Sequence, residues 1–247
     1  IYPTTDGFTG WSGTKFHVFS SKDLIDWKDE GVILDVASDD VPWSVGSAWA
    51  PSIEEKNGKY YFYFCAKRPD GASCMGVAVA DSPTGPFIAE PEPMITPEIA
   101  AREGIRMGQT IDPSIFTDDD GRSYMLFGNG DAAIVELNDD MISFKPGTMK
   151  NIAGANSIRE AITVTKRDGI YHFTWSVDDT GSENYHLRYG TSDNLYGPIT
   201  YRGIILQKDP SKDILGTGHH SILQIPGKDE YYIAYHRFGT PLSDYPS

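Results

Sequence analysis

A short motif recurs four times along this chain of 247 residues, and that recurrence limits the fold more than any other feature. It reads WAPSIEEKNGKYYFYF at 49–64, IDPSIFTDDDGRSYMLF at 111–127, REAITVTKRDGIYHFTW at 159–175 and GHHSILQIPGKDEYYIAY at 218–235. Each copy opens on a short motif, passes a Gly or Asp turn and ends in an aromatic strand pattern. Aligned on Ala50, Asp112, Glu160 and His220, the copies stand 62, 48 and 60 residues apart. A second element closes each unit: SSKDLIDWKDEGVIL (20–34), ADSPTGPFIAE (80–90), NDDMISFKPG (138–147) and TSDNLYGPITYRGIIL (191–206). Repeats of this length, built from short strands, predict the blades of a β-propeller. A solenoid has shorter, more uniform repeats, and a β-sandwich has none.

The expected fold is all-β, a five-bladed β-propeller forming a single catalytic domain over residues 1–247. The first blade has a closing element without an opening motif, and the last has the reverse. The opening IYPTTDG reads as the middle of a strand, so the domain is expected to be trimmed at its start. The single helical signal is one short turn within 96–105.

Aromatic residues make up 12% of the chain and apolar runs occur throughout, which excludes a disordered composition. The formal net charge of −14 argues against nucleic acid as a partner and against acidic sugars as substrate. No run of about 18 apolar residues predicts a membrane span. Cys65 and Cys74 flank a predicted hairpin turn, RPDGAS. They read as two buried free thiols, with a cross-strand disulfide as the alternative. No Cys/His cluster has zinc spacing.

The opening motifs put Asp112, Glu160 and the pair His219–His220 at equivalent repeat positions, in strands that are otherwise apolar. A buried strand does not begin with an acid unless the acid has a use, although a lone Asp-Pro is usually only a turn. Paired carboxyls with separated pKa values suit glycoside hydrolysis. One gives its proton to the leaving oxygen, and the other activates water from the opposite face.

At these residues the chain resembles glycoside hydrolase family 43. The resemblance rests on WAPSIEEKNGKYYFYF, GVAVADSPTGPF, IDPSIFTDDDG, REAITV, GTGHHS and YYIAYHR, in that order. It implies a five-bladed propeller of inverting enzymes: α-L-arabinofuranosidases, β-xylosidases and endo-arabinanases. By the same resemblance Glu160 is the general acid and Asp112 the carboxyl that tunes and orients it. His219, in preference to His220, lies beside a central metal ion, often calcium. Trp49 lines the site and Arg237 lies near the substrate. The general base is an Asp expected upstream of Ile1. Asp6 sits at the wrong end of the strand pair for that role.

Trp11 lies in a Gly-rich loop, where an indole stacked on sugar and an indole folded onto the blade are equally compatible with the sequence. Trp43 is read the same way. Trp27 and Trp175 are expected in the core, and Arg188 at the channel or on a blade surface. Asp118–Asp120 lack the remainder of an EF-hand pattern and read as a solvated turn. The expected activity is inverting release of pentose from arabinose- or xylose-containing plant polysaccharide, with α-L-arabinofuranosidase first. β-Xylosidase, endo-arabinanase and, in another class, a non-catalytic carbohydrate-binding propeller are the alternatives. A polymeric substrate implies a secreted or periplasmic protein, or a cytoplasmic one if it acts on oligosaccharides.

Overall fold

The computed structural model describes residues 1–5 and 8–239. Its sheets follow one another along the chain, each a meander of antiparallel strands. The first pairs β1 (Lys15–Ser21) with β2 (Trp27–Asp35). The second has β3 (Gly46–Lys56), β4 (Lys59–Lys67), β5 (Ser73–Ala80) and β6 (Ile88–Ala89). The third has β7 (Ser114–Thr117), β8 (Ser123–Phe127), β9 (Ala133–Glu136) and β10 (Lys150–Asn151). The fourth has β11 (Glu160–Arg167), β12 (Ile170–Val177), β13 (His186–Ser192) and β14 (Thr200–Leu206). The fifth pairs β15 (Gly218–Gln224) with β16 (Tyr231–His236). These are the five blades of the propeller, the first and last with two strands each among the described residues.

The core lies between blades, which explains why the second strands are continuous apolar runs instead of alternating ones. Phe62, Phe64 and Ala66 of β4 pack toward Phe16, Val18 and Leu34 of the first blade. Tyr63 and Cys65, one residue out of phase, pack toward Met125, Phe127 and Val135 of the third. The next interface repeats the scheme, with Leu126 and Ile134 against Ile162, Phe173 and Trp175. The two cysteines fall on opposite faces of their sheet, because Cys65 lies across from Met75 and Cys74 from Ala66. Both thiols are free and buried. β16 has an equally apolar sequence, yet Tyr231, Tyr232, Ile233 and Tyr235 are exposed, since among the described residues no third strand pairs with it.

Residues 1–5 run alongside β1. The Phe19 N–H donates to the Ile1 carbonyl at 2.9 Å, and the Thr5 hydroxyl donates to the Lys15 carbonyl at 2.8 Å. They therefore hold the place of a second strand, with β1 and β2 as third and fourth. Asp6 lies outside the described residues.

Some side chains settle what the sequence left open, and two, Trp27 and Asp118, depart from their expected places. Trp175 is fully buried, but Trp27 is exposed at the start of the outermost strand of its blade. Trp43 is a core residue, stacked on Phe64 with ring centroids 5.8 Å apart. Arg188 lies over the Tyr201 ring of β14, which places it on the outer part of its blade and away from the axis. The 96–105 segment yields α1 (Pro97–Arg102), opened by Thr96, whose hydroxyl accepts the Ile99 N–H. Of the acidic turn only Asp119 and Asp120 are solvated. Asp118 accepts hydrogen bonds from Lys166 (2.5 Å) and Tyr171 (2.6 Å) and so ties the third blade to the fourth. No helix among the described residues is long and apolar enough to cross a membrane.

Candidate active site

Each innermost strand from the second blade onward has a left-handed residue at an equivalent position near its start, Ala50 (φ 42°), Asp112 (61°), Ala161 (56°) and His219 (35°), and β3 has a further one at Ser47 (64°). Bulges in the β3, β11 and β15 pairings fall at these positions. A bulge re-aims the side chains around it. Four non-glycine residues held in this region, each costing about 1–3 kcal/mol, mark a place where backbone strain is tolerated for a purpose. They also correct the repeat alignment. Ala161 and His219, not Glu160 and His220, are the partners of Ala50 and Asp112. Glu160 therefore corresponds to Trp49, Ile111 and Gly218, one residue nearer the strand start.

A cavity of about 390 Å³ runs along the axis between these strands. Asp112, Ala161 and His219 border it, as do residues 1–4 and Trp11. Asp112 is 5% exposed and Glu160 6%. The ligating atoms of Asp112, Glu160 and His219 lie within 4.8 Å of one another, with His219 Nδ1 at 3.9 Å from Asp112 Oδ2. His220 turns the other way. Its Nε2 is 2.5 Å from the Thr174 hydroxyl, and burial pushes its pKa down to about 3, so it stays neutral.

Glu160 lies beside the residues that border the cavity, its carboxylate within 4.8 Å of the ligating atoms of Asp112 and His219. Its carboxylate is held at the strand start, where Oε1 accepts the Tyr185 hydroxyl at 2.8 Å and Oε2 accepts the Asn129 amide at 2.9 Å. Arg159 Nε lies 3.9 Å from Oε2, is buried and has no hydrogen-bond acceptor. Burial and the Glu160 charge raise the Tyr185 phenol well above its usual range, so it remains a donor. Burial, and then the charge of Glu160, likewise push the Asp112 carboxyl well above the usual carboxylate range. Asp112 Oδ2 accepts the Ala161 N–H at 3.1 Å, which partly opposes that rise.

The glycines of GTGHH allow this packing. A Cβ on Gly218 would lie 2.1 Å from the Tyr185 ring, and one on Gly216 2.4 Å from Phe238. Gly218→Ala is therefore expected to push Tyr185 off Glu160, lowering kcat at least about tenfold and costing about 1–3 kcal/mol of stability. Kinetics and a thermal melt of the variant check both effects, and unchanged kcat would remove Tyr185 from the acid's support.

The structure brings together Asp112, Glu160 and His219 from the expected set. Trp49 is half-buried, donates its indole N–H to the Trp11 carbonyl at 2.8 Å and carries Lys67 over one ring face at 4.9 Å. Arg237 is exposed, directly after His236, which borders the cavity. Tyr185, Asn129 and Arg159 escaped sequence reasoning. Arg159 stood inside the REAITV motif, whereas Tyr185 and Asn129 lie in loops that offer no repeat signal.

A calcium ion takes about six to eight oxygen ligands. Both Glu160 oxygens and one Asp112 oxygen already accept protein hydrogen bonds, and His219 offers nitrogen. These residues do not form a protein cage for calcium. They fit an ion that keeps most of its water and touches the protein through His219.

Comparison with known proteins places this arrangement. The family model described as glycosyl hydrolases family 43 matches residues 1–246. Xylosidase/arabinosidase 43A of Humicola insolens is 33% identical, over 92% of this chain and 81% of that protein. The solved GH43_1 enzyme from Xanthomonas citri superposes with a TM-score of 0.77 at 29% identity, over 95% of this chain and 77% of the other. A β-xylosidase/α-arabinofuranosidase from a compost microbial metagenome, solved with xylotriose in a calcium-free form, gives a TM-score of 0.74 at 32% identity, over 94% and 77%. With left-handed strand starts, a buried Asp–Glu pair and a match along nearly its whole length, the chain belongs to glycosyl hydrolase family 43.

Proposed function

We propose that this propeller releases pentose from arabinose- or xylose-containing plant polysaccharide with inversion at the anomeric carbon. The observation that carries the reading is the Asp112–Glu160 pair. Two buried carboxyls within 4.8 Å cannot both ionise cheaply, so the pair retains a proton at neutral pH. Glu160 hands that proton to the leaving glycosidic oxygen, while Tyr185 and Asn129 hold it in place. Asp112 has two properties that unfit it as the water-activating base. It shares a single proton with Glu160 and so is a poor acceptor for one from water, and it lies closer to Glu160 than the roughly 6.5–9.5 Å that inversion requires. The base is a third carboxylate, separate from this pair. It activates the water from the face of the sugar opposite Glu160.

Trp11 at the cavity and Trp49 beside it supply aromatic surface to the sugar ring, with Arg237 at the rim. A hydrated calcium ion on His219 would add fixed positive charge beside Asp112. Polymeric substrate does not cross a membrane whole, so the protein acts outside the cytoplasm in this reading.

Exo-acting α-L-arabinofuranosidase is the first substrate assignment. β-Xylosidase is the second, favoured by the xylotriose bound in a structural relative. Release of an aryl group from an α-L-arabinofuranoside and a β-D-xyloside, measured side by side, separates them. At least tenfold higher kcat/KM on the arabinoside is the expected result. The reverse preference would keep the mechanism and overturn the sugar. Turnover of neither, with oligosaccharides also untouched, would overturn the enzymatic reading.

A further inference from the structure

The left-handed residues of the inner strands share a hydrogen-bonding rule. In three blades the N–H of that residue crosses to the preceding blade and ends on a side chain. Ala50 donates to Thr4 Oγ1 at 2.8 Å, Asp112 to Cys65 Sγ at 3.1 Å and His219 to Ser176 Oγ at 2.9 Å. The acceptors are register equivalents. Tyr63 pairs with Ser52, Leu126 with Ser114 and Thr174 with Thr163, and two residues further along each second strand lie Cys65, Gly128 and Ser176. Thr4 plays the same part on the segment beside β1.

The fourth case is the informative one. At the equivalent position the third blade has Gly128, where a Cβ would lie 2.3 Å from the Asp131 carbonyl. No side chain is available, and the Ala161 N–H goes to the Asp112 carboxylate instead. Asp112 thus occupies two links of one chain: it donates its backbone N–H to Cys65 and accepts from Ala161 through Oδ2.

We infer that Cys65 is a positioning residue for Asp112, acting as the hydrogen-bond acceptor that fixes its left-handed backbone and so the direction of its carboxylate. This deepens the reading of Asp112 and Glu160 as the catalytic pair and rests on it. The thiol is fully buried, and burial raises its pKa well above the usual value, so a neutral sulfur accepts the N–H. Thr4 and Ser176 show that a hydroxyl serves the same position. Cys65→Ser therefore preserves the link, whereas Cys65→Ala and the bulkier Cys65→Val both remove it.

The test has two readouts. The first, independent of any sugar, is hydrogen exchange at the Asp112 amide. It is expected to quicken about tenfold in Cys65→Ala and Cys65→Val and to stay near wild type in Cys65→Ser. The second is kinetic, in the same protein with its wild-type turnover measured alongside. Cys65→Ala and Cys65→Val are expected to lose roughly tenfold or more in kcat on a substrate with a poor leaving group. The loss should be about twofold with an activated aryl leaving group, with KM within about twofold and Cys65→Ser restoring kcat. A structural role alone lowers both substrates equally. Unchanged exchange in a folded Cys65→Ala or Cys65→Val protein, or Cys65→Ser as impaired as Cys65→Ala, would overturn the inference. Wild type that turns over neither sugar would overturn the catalytic reading, and the exchange result would still decide whether Cys65 holds Asp112.

Discussion

Glu160→Gln is expected to lower kcat by roughly 10²–10⁴-fold on an unactivated pentoside, the range for loss of a positioned general acid. The amide keeps the shape of the carboxyl and an oxygen for the Tyr185 hydroxyl that Glu160 now accepts at 2.8 Å. What it lacks is an acidic proton. The loss should therefore follow the leaving group. An aryl group that departs as a stable phenolate needs little protonation, and its kcat should fall far less. KM should change little, because the acid acts on the bond being broken and not on ground-state binding. Measuring wild type and Glu160→Gln on a xylo- or arabino-oligosaccharide and on a nitrophenyl glycoside gives the comparison. Equal losses on both would mean that Glu160 shapes the site without donating a proton. Full retention on the oligosaccharide would remove it from the reaction.

Much of this was legible in the sequence, for a physical reason. A propeller buries both faces of its inner blades, so WAPSIEEKNGKYYFYF and its three relatives carry continuous apolar second strands at a fixed distance from a polar strand start. That pattern exposes blade number, the strands and the acids at the axis together. The alignment of the acids within the repeat was off by one residue in the third and fourth copies. The cause is the bulge, which inserts a residue that sequence cannot weigh. It separates Asp112, which borders the cavity, from Glu160, which sits one step nearer the strand start. Tyr185 was invisible because it approaches from a loop, and only the absence of a Cβ at Gly218 betrays it. Trp27 was misplaced because an indole in a strand pattern gives no sign of which blade face is covered. Cys65 read as an inert core thiol, since its partner is the backbone N–H of a residue 47 positions away.

Asp112→Asn is expected to abolish most activity and at the same time to stabilise the protein. The activity loss, on the order of 10²-fold, follows from removing the carboxyl that shares a proton with Glu160. The stability gain follows from linkage. Burial and the Glu160 charge raise the folded-state pKa of Asp112 well above its value in the unfolded chain, about 3.9. Between those two midpoints the folded state binds the proton and the unfolded state does not, so wild-type stability falls as pH rises through that window. Below about pH 3.9 both states are protonated and the penalty is absent. Asn carries no charge at any pH and keeps an oxygen for the Ala161 N–H. The variant should therefore melt higher than wild type at pH 7–8, and the gap should close toward pH 4. Each pH unit separating the midpoints is worth about 1.36 kcal/mol, or roughly 2–4 °C in Tm for a chain of this size. Melting curves of both proteins at several pH values decide the matter. A gap that does not change with pH would mean that Asp112 is ordinary in the folded state, and the raised carboxyl on which the acid–base pairing depends would be lost.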